Sequence, residues 1–267
     1  MRRLLALALV VAAPAAAGAQ GRVMSINQCA DQLVLALLPP GRIASVSWLS
    51  RDPAMSQMAA AASRVPVNYG SAEEVLRERP GLVIAGVYTT PATRALVRKL
   101  GLPMLELGSA DSFAAIRSQI RQVATAVGAE ARGEALVAHL DAGITALAAT
   151  PGPPVRVAAW DSAGFAAARG SLYDTVLGAA GARNVAAEPG VGSPDVETLL
   201  AVAPALLVRG GRAERDTPRG DRDHPLIRRL WSGRTVIVPA TATMCGTPYT
   251  ADAALKLRAD LNAAVHP

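Results

Sequence analysis

Cysteine is scarce in this chain of 267 residues, with Cys29 and Cys245 the only two. Two cysteines cannot staple a disulfide-rich scaffold or complete a four-cysteine zinc site. Histidine is nearly as rare, with His139, His224 and His266 far apart. A bare transition-metal site wants several imidazoles and carboxylates converging, so direct metal binding is not expected. Lysine occurs only at Lys99 and Lys256. The remaining positive charge of a formally +6 chain is arginine. It is scattered, without a run of five or interleaved aromatics, which argues against nucleic acid. Phosphate-cradling loops, dinucleotide turns and the G-x-S-x-G elbow are all missing, which leaves nucleotide-dependent and serine-hydrolase chemistry without support. Aromatics make up only 3% of the residues, so the placement of each one is informative.

What the chain has is apolar residues, at 51%, and ordinary charge, at 18%. That balance gives a folded chain of one large or two modest domains. Residues 1–19 begin Met1-Arg2-Arg3, continue through an apolar run to Ala13, and end in Ala17-Gly18-Ala19. This is the pattern of a Sec-type signal peptide cut before Gln20, and the run is too short to span a bilayer. The expectation is a mature protein exported to the periplasm, where a disulfide is chemically permissible.

Short apolar runs alternate with helical spacing. Strands are expected at 22–26, 43–47, 82–85, 103–107, 155–160, 184–186, 206–208 and 235–239. Helices are expected at 31–38, 91–100, 130–149 and 251–264, with another capped by Ser112 and ended by Gly128. Such alternation implies parallel sheets with right-handed crossovers. The fold class is therefore α/β, as two lobes of parallel-rich sheet joined by a long connector helix, with a ligand cleft between. The expected division is an N-terminal lobe at 20–109, a connector at 110–150 and a C-terminal lobe at 151–267. An internal echo supports it. Residues 73–86 align without gaps on 197–210 in the frame Glu, x, apolar, Leu, three residues, Pro, x, Leu, apolar, apolar, x, Gly. Each copy reads as a short helix, a proline turn and a buried strand, one per lobe.

An export signal, two such lobes and a helical connector resemble the periplasmic substrate-binding proteins of ABC importers, in the group that carries cobalamin, ferric siderophores and haem. Five segments carry the likeness in order: 22–35 (RVMSINQCADQLVL), 43–48, 70–86, 171–184 (SLYDTVLGAAGARN) and 193–208. The resemblance implies a monomer with no chemistry and no cofactor of its own. Its ligand would be a small metal chelate, a corrinoid or ferric siderophore with haem as the alternative, handed to an ABC permease in the inner membrane. It also implies that Glu73 and Glu197, one per lobe, meet arginines on the permease. Two such carboxylates orient docking and speed encounter, and each also favours the N-terminus of its helix.

In open α/β sheets ligands lie beyond the carboxyl ends of the strands. Geometry and resemblance together nominate Asn27, Gln28, Cys29, Trp48, Tyr69 and Tyr88 from the first lobe. From the second they nominate Trp160, Phe165, Arg209, Met244, Cys245 and Tyr249. Six of the nine aromatics fall in these loops, which suits a large, partly apolar ligand gripped by rigid flat surfaces. Trp231, flanked by Arg228, Arg229 and Arg234, is expected on the surface.

The cysteines allow three readings. They are inert buried residues, they touch a metal centre in the ligand, or they form a disulfide across the cleft. The disulfide ranks last, because it would lock the lobes. An exported cysteine-dependent enzyme is the competing function class, but it needs a histidine base, and no histidine flanks either cysteine.

Overall fold

Strands that are buried along their whole length need cover on both faces. In the computed structural model, which describes residues 21–152, 154–159, 167–188, 195–211 and 224–265, that cover comes from helices. The expected leader at 1–19 lies outside the described residues, as do Trp160 and Phe165.

The first lobe runs β1 (Val23–Ser25), α1 (Gln28–Leu37), β2 (Ile43–Ser47), α2 (Ala59–Ala62), β3 (Val67–Asn68), α3 (Ala72–Glu78), β4 (Leu82–Gly86), α4 (Pro91–Lys99) and β5 (Met104–Leu107). Its strands pair in parallel in the order β3-β2-β1-β4-β5. Two helices follow, α5 (Phe113–Val127) and α6 (Glu130–Ala149). The second lobe runs β6 (Val155–Ala159), α7 (Leu172–Ala179), β7 (Ala182–Asn184), α8 (Val196–Val202), β8 (Leu206–Gly211), α9 (Pro225–Leu230), β9 (Thr235–Pro239) and α10 (Thr250–Val265). Its sheet is also parallel, in the order β7-β6-β8-β9.

Period-two alternation assigns the faces. Along β4, Leu82 and Ile84 join the core with α1 and α5, while Val83 and Ala85 join Val75 of α3 and Val97 of α4. Along β8, Leu206 and Val208 face α7 and α10, while Leu207 packs with Leu199 of α8, Ile227 of α9 and Trp231. Trp231 therefore corrects the sequence expectation. It is 5% exposed and its indole N–H donates to the carbonyl of Pro204 at 3.0 Å. Neighbouring arginines describe the local chain and say nothing about the side that packs.

The echo is two copies of one structure. Ser71 caps α3 with a reciprocal bond from Glu74, and Asp195 caps α8 by accepting from the Thr198 amide at 2.7 Å. Each helix ends on a left-handed residue directly before proline, Arg79 (φ 42°) and Ala203 (φ 42°). The following proline disfavours the right-handed region there, so the helix cannot continue. Each turn then feeds a strand in the same place of its sheet, β4 beside β1 and β8 beside β6.

Three local details depart from expectation. Helix α1 starts at Gln28, because the Asn27 side chain accepts from the amides of Cys29 and Ala30 and so caps it. The run 184–186 is not a strand. Asn184 ends β7, and its side chain accepts from the Ala186 amide to start a 3₁₀ turn. The short β3 and α2 carry too few residues for a readable period.

Helix α5 packs on α1, and α6 packs on α5 and α10. Small residues allow close approach. A methyl added at Gly133 would meet Ala124, and one at Gly143 would meet Ala251. Buried Arg258 of α10 donates to the carbonyls of Leu147 (2.8 Å), Ala179 (2.6 Å) and Thr150. Those are the ends of α6 and α7, where carbonyls lack intrahelical partners. Among the described residues, no helix is long and apolar enough to cross a membrane.

Candidate cleft and its covalent seam

A small cavity of about 60 Å³ lies where the two lobes meet. Its first-lobe wall comes from the carboxyl ends of β1 (Asn27, with Cys29 in the first turn of α1), β4 (Gly86, Val87, Tyr88) and β5 (Leu107–Asp111), with Gln119 of α5. Leu172, Met244, Cys245 and Gly246 form the second-lobe wall. The carboxyl-end rule therefore holds for three strands of the first sheet. The loop after β5 had the same signal in the sequence and was missed. Gln119 and Leu172 carry no such signal, because helices deliver them.

The cysteines are joined. Cys29, in the first turn of α1, and Cys245, after β9, form a disulfide with Cα atoms 5.1 Å apart. The ranking drawn from sequence is thereby corrected: neither residue is inert, and neither offers a thiolate to a metal. The same bond removes the nucleophile that a cysteine-dependent enzyme would need. Sequence spacing could not reveal it, because the partners are 216 residues apart.

Polar contacts flank the bond. The Gln28 amide nitrogen donates to the Met55 carbonyl at 2.6 Å and lies 3.2 Å from the Met244 sulfur. The Thr247 hydroxyl donates to the Gln57 side-chain oxygen at 3.1 Å. Gly246 presses so close to the first lobe that a Cβ would come within 2.6 Å of the Ala110 carbonyl oxygen.

Three aromatic residues stand exposed at strand ends of the first lobe, and of these only Tyr88 lines the cavity. Trp48 follows β2, Tyr69 follows β3 and Tyr88 follows β4, and they are 49%, 75% and 84% exposed. Trp48 and Tyr69 pair at 6.3 Å between ring centroids, while Tyr88 borders the cavity. Tyr249 does not join them. Its ring meets His139 edge-on at 5.5 Å, beside a groove formed by β9 and α10. Arg209 sits in β8, paired in register with Ile237 of β9.

The Trp48 segment is held by a buried acid. Asp31 is fully buried on α1, and its Oδ2 accepts from the Ser47 amide (3.1 Å), the Ser47 hydroxyl (2.5 Å) and the Ser50 hydroxyl (2.6 Å). Those two serines bracket Trp48, so the acid anchors the segment that carries the ring. Burial pushes the Asp31 carboxyl up to about 6, against the opposing pull of its serine donors. Asp31 faces the core rather than the cavity.

Glu73 and Glu197 are both exposed and both occupy the second position of their helices. The Glu73 carboxyl is held below its ordinary range by its own backbone N–H and the Ser71 hydroxyl, so it stays ionised at neutral pH. Among the described residues, no group of three or more His, Cys, Asp or Glu side chains is arranged to hold a metal ion.

Comparison with known proteins is consistent with this architecture. A family model described as periplasmic binding protein matches residues 23–228. The apo haem-binding protein RhuT from Roseiflexus sp. RS-1 is 25% identical, with a TM-score of 0.73 over 91% of this chain and 98% of that one. Haem-binding HutB of Vibrio cholerae is 19% identical, with a TM-score of 0.73 over 89% of this chain and 97% of that one. Vitamin B12-binding BtuF of Vibrio cholerae is 19% identical, with a TM-score of 0.68 over 92% of this chain and 98% of that one. At 19% identity these two show the fold alone. No curated protein matches the chain.

Proposed function

The chain belongs to the periplasmic binding protein family, and from that premise we propose that it captures a flat metal-chelating macrocycle, a corrinoid or haem, between its lobes. It then delivers the ligand to an ABC permease in the inner membrane. The observation that carries the ligand class is the row of three exposed aromatics, Trp48, Tyr69 and Tyr88, at the carboxyl ends of β2, β3 and β4. Large rings left in water at strand ends are available to cover an apolar disc, and each contributes through area and stacking. A haem-binding relative at 25% identity over 91% of this chain supports the reading. With both thiols consumed in the disulfide, a cysteine nucleophile is removed, which supports a binding role. Glu73 and Glu197, at matching positions of the two repeats, present one carboxylate per lobe to the permease.

The experiment is a titration of the mature chain with hemin, cyanocobalamin and a ferric hydroxamate siderophore, followed by ligand absorbance and tryptophan quenching. Saturable binding of at least one macrocycle is expected. Replacing Trp48, Tyr69 and Tyr88 together with Ala should weaken it about 100-fold, from roughly 1 kcal/mol per ring. Binding of the siderophore alone, or no loss in the triple variant, refutes the proposal.

A further inference from the structure

Two-lobed receptors open and close about the segment that joins their lobes. This chain has that segment, α5 and α6, and also a second covalent crossing, Cys29–Cys245, between the first turn of α1 and the loop after β9. The crossing lies in the wall of the cavity itself, since both cysteines line it. Around it the Gln28–Met244 and Gln57–Thr247 contacts and the close approach of Gly246 to Ala110 make one seam between the lobes. Hydrogen bonds of this kind are individually weak and exchange readily with water. A covalent bond does not, so the disulfide alone makes the seam permanent.

We infer that Cys29–Cys245 is the specificity-determining element of the cleft: it pins the lobes at one aperture, so that ligands are selected by their fit to a preset slot. The inference rests on the proposed ligand class and narrows it. With the seam pinned, the walls carrying Tyr88, Asp111 and Gln119 on one side and Leu172 and Met244 on the other keep their separation near the bond. The slot cannot close down on a small solute or spread around a globular chelate. A thin disc sliding in beside the disulfide meets walls already in place, and little ordering is left to oppose binding. Discrimination against thicker chelates then comes from steric exclusion rather than from added attraction.

The test compares three forms of the mature chain: disulfide intact, the Cys29→Ser/Cys245→Ser double variant, and wild type reduced with tris(2-carboxyethyl)phosphine. Circular dichroism establishes that each is folded, and the reduced wild type serves if the double variant is not. The first readout needs no ligand. Small-angle scattering should show a larger radius of gyration in both unpinned forms, and hydrogen exchange should rise at residues 244–247. The second readout is affinity for hemin, cyanocobalamin and a ferric hydroxamate siderophore. The ratio of hemin affinity to cyanocobalamin or siderophore affinity should fall roughly tenfold or more when the pin is cut, through gain of the thicker ligands. Unchanged scattering and exchange, or a ratio preserved within about twofold, would overturn the inference. If no ligand binds any form, the ligand class fails, while the scattering and exchange data still decide whether the disulfide pins the lobes.

Discussion

Neutralising Asp31 should abolish a specific part of the pH dependence of stability. The carboxyl is fully buried, has one oxygen without a partner, and is pushed from 3.8 to about 6. A shift of about two units corresponds to roughly 3 kcal/mol between its protonation states in the folded chain. The unfolded chain holds the proton less tightly than the folded one, which fixes the sign. Stability from this group is fully present below about pH 3.8 and is lost as pH rises through about 6. The paired surface carboxylates work the other way. Glu73, Glu134 and Asp195 are held below their ordinary values and lose their contribution only in acid. The readout is therefore the difference between wild type and Asp31→Asn, in which shared titrations cancel. Urea unfolding from pH 4.5 to 7.5, followed by tryptophan fluorescence, should show wild type losing about 2 kcal/mol relative to the variant as pH rises. Asparagine keeps one oxygen to accept from Ser47 and Ser50, so the Trp48 segment stays anchored. Parallel pH curves for the two proteins would mean that the carboxyl does not titrate near 6, and the reasoning from burial would be wrong.

Two further substitutions test the site from other directions. Reversing Glu73 and Glu197 to Lys should block ligand uptake in cells while ligand affinity in vitro stays within about twofold, at a cost of about 0.3–1 kcal/mol per helix N-terminus. Normal uptake by the double variant would remove them from the permease interface. Gly86→Ala places a Cβ 2.6 Å from the Asn27 side chain, displacing the cap of α1 at the cleft. A loss of roughly 1–2 kcal/mol in thermal or urea unfolding is expected, with weaker ligand binding. A variant as stable as wild type would show that the cap moves freely.

The echo was legible because everything that makes it is local. A cap residue, an apolar helix face, a proline and a strand buried on both sides fall within one short window, so 73–86 and 197–210 declared themselves. The carboxyl-end rule placed Asn27, Tyr88 and Met244 at the cavity for a similar reason, since a parallel strand fixes where its following loop emerges. Residues whose roles depend on a distant partner were not legible. Asp31 has the same loop position as its neighbours, but the first turns of α1 rotate it into the core toward Ser47 and Ser50. Tyr249 follows the last strand, as a cleft residue should, yet it turns to His139 on the connector. Trp231 stands among arginines and is nonetheless core.

The sequence by itself determined that this protein is two related parallel α/β units, with Trp48, Tyr69 and Tyr88 at strand ends of the first. Periodicity, capping and proline placement act within a few residues and need no partner. Only the tertiary structure decided that Cys29 and Cys245 meet, that the cleft is sewn shut at one side, and that Asp31 braces the Trp48 segment from within. Those outcomes depend on which remote segments share a surface, and composition carries no record of that.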